Sequence, residues 1–390
     1  MPDFFKEASS LYDYTKSMRR DFHQHPELGF QEVRTAGIVA QELNRLGLEV
    51  STGIAKTGVV ALLEGAKSGP VRLVRFDMDA LPIQEESSAE YASEVAGVMH
   101  ACGHDGHVAI GLTVAKLLHA HVDELAGTVK FVFQPAEEGL GGAEGMIAGG
   151  VLENPHPDVS FGLHLWNELP YGCLGITAGP IMAASEIFEV KVIGRGGHGA
   201  LPHQTVDPVV ASAQIITALQ SIVSRNVSPL RTAVITVGYL HTGDAFNVIP
   251  SQAIIRGTIR TFDLDVRLAI IRRFEEVVQG VGEAFGCTVE IDLQPLTPAV
   301  ANDPQITAKV LRVAAELFPG STIDTNLRTM VSEDMAFLMQ EVPGCYLLVG
   351  SANPSKGLNA PHHHPRFDFD EGALPRAAAL MAAAIFGQSL

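Results

Sequence analysis

The eight residues His100-Ala101-Cys102-Gly103-His104-Asp105-Gly106-His107 concentrate a thiol, three imidazoles and a carboxylate, with two glycines among them. Thiolate and imidazole are good ligands for a borderline-soft divalent ion such as Zn²⁺. The run has no CxxC pair, so a closed metal site needs ligands from distant parts of the chain. Four further polar clusters could supply them: Arg75–Pro82 with Asp77 and Asp79, Gln134–Gly139 with Glu137 and Glu138, Gly162–Trp166 with His164, and Pro361–Pro365 with His362, His363 and His364. Cys102 and His104 are two apart and cannot share a helical face, but both can point one way from an extended loop that runs into a helix. The adjacent Glu137 and Glu138 can diverge on a turn, one binding metal while the other moves protons, as amide hydrolysis requires.

Periodicity places these clusters on elements. Helices are predicted at 8–20 and 32–47, strands at 58–63 and 71–76, a helix entered from the Cys/His loop at 105–119, a strand at 128–134, a helix at 142–148 and a buried strand at 159–165. Each cluster before residue 170 therefore falls at a strand end, where open α/β sheets bind ligands. From 186 the order becomes strand (186–193), helix (207–224), two strands (232–240 and 252–260), helix (265–285) and strand (287–293), the split βαββαβ unit. Helices at 304–317 and 333–340, a strand at 344–350 and a helix at 370–387 then resume the first pattern. The expected fold is α/β in two domains. A mostly parallel-sheet catalytic α/β domain, discontinuous over 1–182 and 297–390, carries an inserted ferredoxin-like α+β lid and dimerisation domain over 183–296.

RFDMDALPIQE, HACGHDGH, FQPAEEGLGGAEGMI, GLHLW, GRGGHGALPH, NVIP, RGTIRTFD and HHPRFDFDE occur in the order seen in the M20 metallopeptidase family. The chain most resembles the amidohydrolase branch of that family, with its hippurate, N-acyl-amino-acid and auxin-conjugate hydrolases. The resemblance spans about residues 15–385. It implies that Cys102, His104, Glu138, His164 and His363 are the ligands of a two-metal site, with His362 and His364 as rivals for the last position. Glu137 is implied as the general base that activates a metal-bridging water and delivers the proton to the leaving amine. Asp77 stands where the family's first motif has a histidine ligand, and Asp79 becomes a carboxylate that orients an imidazole, the alternative being a strand-end cap. His198 is implied to polarise the scissile carbonyl, in some members from the partner subunit. Asn247 and Arg260 are implied to anchor the substrate carboxylate, the alternative for Arg260 being an exposed strand-end charge. His203, and the cluster His23, His25 and Glu27, are expected to be structural, and Asp105 and His107 to serve the helix start and to support the ligands.

The expected activity is metal-dependent hydrolysis of the amide bond of N-acyl amino acids, releasing a carboxylic acid and an amino acid. A dipeptidase or carboxypeptidase with the same mechanism is the rival within the class. A non-catalytic small-molecule binding protein is the rival outside it, disfavoured because binding alone does not require Glu137. Two divalent ions per subunit are expected, Zn or Mn first, with Co or Ni also fitting mixed N, O and S ligands. Gly194–Gly199 matches G-x-G-x-x-G after a strand, but Pro202 and a polar turn follow instead of a helix, which argues against a dinucleotide site. A cysteine-protease role for Cys102 is disfavoured, because that mechanism has no use for the Glu-Glu pair.

The remaining composition sets bounds. With 27 Lys and Arg against 44 Asp and Glu, the net charge is −17, so neither nucleic acid nor an anionic membrane surface is an expected partner. The 46% apolar content supplies ample core for 390 residues. Cys102, Cys173, Cys287 and Cys345 follow no disulfide spacing. No signal peptide and no membrane span are expected. A cytoplasmic homodimer joined through the inserted domain, or a tetramer, is the expected state.

Overall fold

The computed structural model describes residues 2–387, so residue 1 and residues 388–390 of the expected catalytic domain lie outside the described residues. The chain divides into two compact units. One runs to Ile181 and resumes over Ala301–Arg328 and from Asp334; the other comprises Met182–Val300 and Thr329–Glu333.

The first unit is built on an eight-stranded sheet in the spatial order Glu49–Ile54, Gly58–Glu64, Ala126–Gln134, Lys67–Asp77, Val159–Pro170, Gly344–Ala352, Leu174–Gly175, Ile323–Asp324. Its four central strands are mutually parallel. Glu49–Ile54 and Gly58–Glu64 add on antiparallel, so the fold is mixed α/β with a mainly parallel centre. Burial explains the centre. Lys67–Asp77 and Gly344–Ala352 carry runs of buried residues, as strands covered on both faces do. The helix His104–Ala120 lies against this sheet with nearly every residue buried. Gly111 permits that approach: a Cβ there would stand 2.6 Å from the Phe76 ring.

Some expectations need correction. The predicted helix at 8–20 is two helices, Phe4–Ser10 and Tyr12–Gln24, parted at Leu11, and His23 sits on the second. Glu49–Ile54 was not expected as a strand, because its largely exposed edge carries little hydrophobic signal. The strand predicted to end at Leu165 runs on to Pro170, since Trp166 and Pro170 keep pairing with Gly350 and Ala352. His164 therefore lies within a strand and not at its end.

The second unit carries a four-stranded antiparallel sheet in the order Ala233–His241, Gln252–Thr261, Ala184–Ile193, Thr288–Thr297. The helices Pro208–Ser221 and Leu264–Ala284 belong to its core, where Ala211, Ile215, Ile270 and Phe274 join Phe188, Val190, Val192 and Ile255. The alternation read at 186–193 is this packing: Phe188, Val190 and Val192 are buried, and the residues between them are only partly so. The short segment Thr329–Glu333 also belongs here, held by the Ala183 N–H donating to the Val331 carbonyl at 3.0 Å.

Candidate metal centre

Gly103, in the left-handed region at φ 93°, turns the Cys/His loop into the helix that begins at His104. Cys102 is a buried free thiol. His104 Nδ1 lies 2.9 Å from the Asp79 carbonyl oxygen and 3.2 Å from Asp79 Oδ1. A carbonyl only accepts, so Nδ1 carries a proton and Nε2 is the nitrogen left for a metal. That Nε2 is buried and has no hydrogen-bond partner. His164 repeats the arrangement. Its Nδ1 donates to the Leu165 carbonyl at 2.7 Å, and its Nε2 stands 3.4 Å from Cys102 Sγ. Two imidazole nitrogens and one thiol thus converge.

Carboxylates complete the cluster. His363 Nε2 is 3.1 Å from Glu138 Oε1. Ligand atoms of Cys102, His104 and His164 all lie within 4.8 Å of one another, as do those of Cys102, Glu138 and His363, and of His104, Glu137 and Glu138. The three groups share members, so all five expected ligands and Glu137 form one connected set. Of the three consecutive histidines, His363 is the one aimed at Glu138, and its φ of 64° reverses the chain there. His362 instead donates from Nε2 to the Leu165 carbonyl at 3.0 Å and packs on Trp166 with ring centroids 4.6 Å apart. His364 Nδ1 accepts the Arg366 N–H at 3.0 Å.

The electrostatics fit a cation. Burial drives the Cys102 thiol well above its ordinary pKa, and the Glu138, Glu137 and Asp77 carboxylates add to the effect. Burial opposes charge on His104, yet Asp77 and Asp79 outweigh it and lift that imidazole to about 10. Burial, with His107 and His362 alongside, holds His164 far below the usual imidazole range. A pocket that binds a proton on His104 this tightly has negative charge to spare, and a divalent ion would neutralise it while stabilising the Cys102 thiolate. The donor set is chemically suited to hold such ions.

Beneath the ligands lies a fully buried polar support. Asp77 accepts from Arg75 at 2.6 Å and from His107 Nδ1 at 2.6 Å. His107 Nε2 accepts the Leu165 N–H at 2.9 Å, so both ring nitrogens are used. Burial would raise the Asp77 pKa, but His104, His107 and Arg75 bring it far below the carboxylate range. Arg75 also donates to Gln134 at 2.9 Å and to Asp334 at 2.8 Å. Asp334 accepts from Gln134 and from the Ala143 N–H, and Asp79 Oδ2 accepts the Glu138 N–H at 3.0 Å. Asp79 therefore touches both His104 and the Glu137-Glu138 turn. Sequence reasoning missed Asp334, which stands in no recognisable motif, and gave Arg75 and Gln134 no role. Asp105, expected at the helix start, makes no cap; it accepts from Arg19 at 2.7 Å and pairs with His23 at 2.8 Å.

The other expected site residues lie in the second unit. His198 and Asn247 share a short ladder: His198 pairs with Val248, and the Asn247 carbonyl accepts the Gly199 N–H at 2.9 Å. His198 Nδ1 accepts the Ala200 N–H at 3.0 Å, which leaves Nε2–H as a donor on an exposed ring. Arg260 donates to Ser332 at 2.8 Å and is only partly exposed. His203 is exposed in the short turn Pro202–Gln204.

The chain matches the peptidase family M20/M25/M40 over residues 73–386. It is 40% identical to the N-acetylcysteine deacetylase of Bacillus subtilis, over 94% of each chain. To thermostable carboxypeptidase 2 of Saccharolobus solfataricus it is 38% identical, over 95% of this chain and 94% of that one. Its fold superimposes with TM-score 0.85 on the Bacillus subtilis YxeP protein, a dinuclear metal-binding peptidase of the M20 family, at 35% identity and covering 97% and 98% of the two chains. With this match running through the connected cluster of thiol, imidazoles and carboxylates, the chain belongs to the M20/M25/M40 peptidase family and is a hydrolase of that family.

Proposed function

We propose that this hydrolase cleaves the amide bond of N-acyl amino acids, with Cys102, His104, Glu138, His164 and His363 holding two divalent ions. The observation that carries the reading is the convergence of Glu137 with His104 and Glu138 in one group, which sets a carboxylate beside two ligands. Ions held there would supply Lewis acidity to the attacking water and to the scissile carbonyl. Glu137 takes the water's proton and passes it to the departing nitrogen. Asp79, by receiving the His104 Nδ1–H and the Glu138 N–H, fixes two ligands at once. His198 offers its Nε2–H to the carbonyl oxygen as negative charge develops, from its own chain or a partner's. Arg260 and Asn247 bind the substrate carboxylate. Zn and Mn are the proposed ions, and a cytoplasmic homodimer joined through the second unit is the proposed assembly.

The similarity to an N-acetylcysteine deacetylase supports an acyl group on the scissile nitrogen, and the similarity to a carboxypeptidase supports the rival, a peptide substrate. A hydrolysis panel of hippurate, N-acetyl amino acids and dipeptides, on apoenzyme reloaded with each metal in turn, separates the two. The acyl reading requires the N-acyl substrates to be cleaved with higher kcat/KM than the dipeptides; the opposite order establishes the peptidase.

A further inference from the structure

The turn that carries Glu137 and Glu138 enters through Ala136, a fully buried non-glycine residue in the left-handed region at φ 55°. An L residue pays a steric cost between Cβ and the carbonyl oxygen in that conformation, so something must hold it. The Ala136 carbonyl accepts the Gly142 N–H at 3.1 Å and closes the loop. The Ala136 N–H donates at 2.9 Å to Oε1 of Glu32, a residue more than a hundred positions away and fully buried. Thr57, on the loop before Gly58–Glu64, donates its hydroxyl to Glu32 Oε2 at 2.6 Å and fixes the carboxylate's orientation.

Glu32 occupies the N-cap position of the helix Val33–Arg45, where a side chain ordinarily satisfies the first amide groups of its own helix. Here Glu27 does that instead, accepting the Arg34 and Thr35 N–H groups at 2.9 and 2.8 Å. The Glu32 carboxylate is thereby left to the catalytic turn. Glu32, Asp79 and Asp334 accept the Ala136, Glu138 and Ala143 N–H groups in order along it. Asp79 also contacts a ligand imidazole and Asp334 also supports Arg75 and Gln134, whereas Glu32 ties the turn to Thr57.

We propose that Glu32 is a positioning residue for the hydrolysis. By holding Ala136 in the left-handed conformation, with Thr57 as its own brace, it aims the Glu137 carboxylate at the water it deprotonates. This rests on the reading of Glu137 as the base.

The test is steady-state kinetics on metal-saturated full-length enzyme, well below its melting temperature, with metal content measured for each variant. Glu32→Ala should lower kcat about 10- to 100-fold, with KM within about twofold and metal stoichiometry unchanged. Glu32→Gln, which keeps an acceptor for the Ala136 N–H, should stay within about threefold of the parent. Adding Ala136→Gly to Glu32→Ala should restore about fivefold of kcat, because glycine adopts the strained conformation without the Cβ penalty. If Glu32→Ala does not fold, Thr57→Val should still lower kcat about threefold to tenfold by freeing the carboxylate. Parent-like kcat in Glu32→Ala, or in Thr57→Val where only that variant folds, overturns the proposal, as does a Glu32→Ala defect that Ala136→Gly leaves unrelieved. Glu137→Gln serves as the reference in the same assay. If it stays active, Glu137 is not the base and the proposal falls with that reading; if it is inactive while Glu32→Ala turns over normally, only the role of Glu32 is lost.

Discussion

At the scale of single residues, the two glutamates of the turn differ through their neighbours and not through their chemistry. Glu138 lies against His363, and its amide is held by Asp79. Glu137 joins the same cluster through His104. Replacing Glu137 by Gln preserves shape and removes the proton acceptor, so turnover should fall at least about 100-fold while elemental analysis finds the parent's metal content. Cys102→Ala should act oppositely, lowering the metal-to-protein ratio measured after gel filtration, because it removes the cluster's thiol.

Among elements, the turn from Pro135 to Gly142 and the strand carrying Arg75 carry the most precise demands. A Cβ at Gly142 would stand 1.8 Å from the Pro135 carbonyl oxygen, a backbone atom that cannot rotate away. Gly142→Ala should therefore displace the turn and reduce kcat/KM at least about tenfold, with far-UV circular dichroism unchanged. Arg75 neutralises Asp77 and Asp334 in a fully buried setting. Its replacement by Met leaves both carboxylates without their guanidinium, and urea denaturation should report a loss of about 3–5 kcal/mol.

For the whole molecule, ions that bind only the folded site stabilise it by mass action. Chelation should lower the melting temperature, and re-addition of metal should restore it in a concentration-dependent way. Acid should expose a second dependence, at Glu85. Burial opposes the charge on Glu85, but His23, Ser87 and the Ser93 N–H pull its pKa from 4.5 down to about 2. A carboxylate depressed in the fold binds its proton more readily when unfolded. Its stabilisation is thus present above pH 4.5 and fades as the pH falls towards 2. Glu85→Gln should flatten the fall in melting temperature over that interval and, by removing the same stabilisation, lower the melting temperature near pH 7. Among the described residues no helix is long and apolar enough to cross a membrane.

Local pattern was enough to read most elements and the types of the cluster's residues, because hydrophobic period and strand-end position are properties of short windows. Cys102, His104, Glu137, Glu138 and His164 each stand in a short motif rich in ligand types, and the central strands announce themselves as buried runs. Tertiary structure alone decided which nitrogen of His104 is free, since that depends on the Asp79 carbonyl brought in from another element, and it turned His362 to the Leu165 carbonyl. It also decided that His363 and not His362 or His364 faces Glu138, a choice made by chain reversal within one loop. Glu32 and Asp334 were invisible beforehand for the same reason. Their partners, the amides of Ala136 and Ala143, are backbone groups common to every residue, and backbone groups leave no mark in a sequence until folding brings them against a carboxylate.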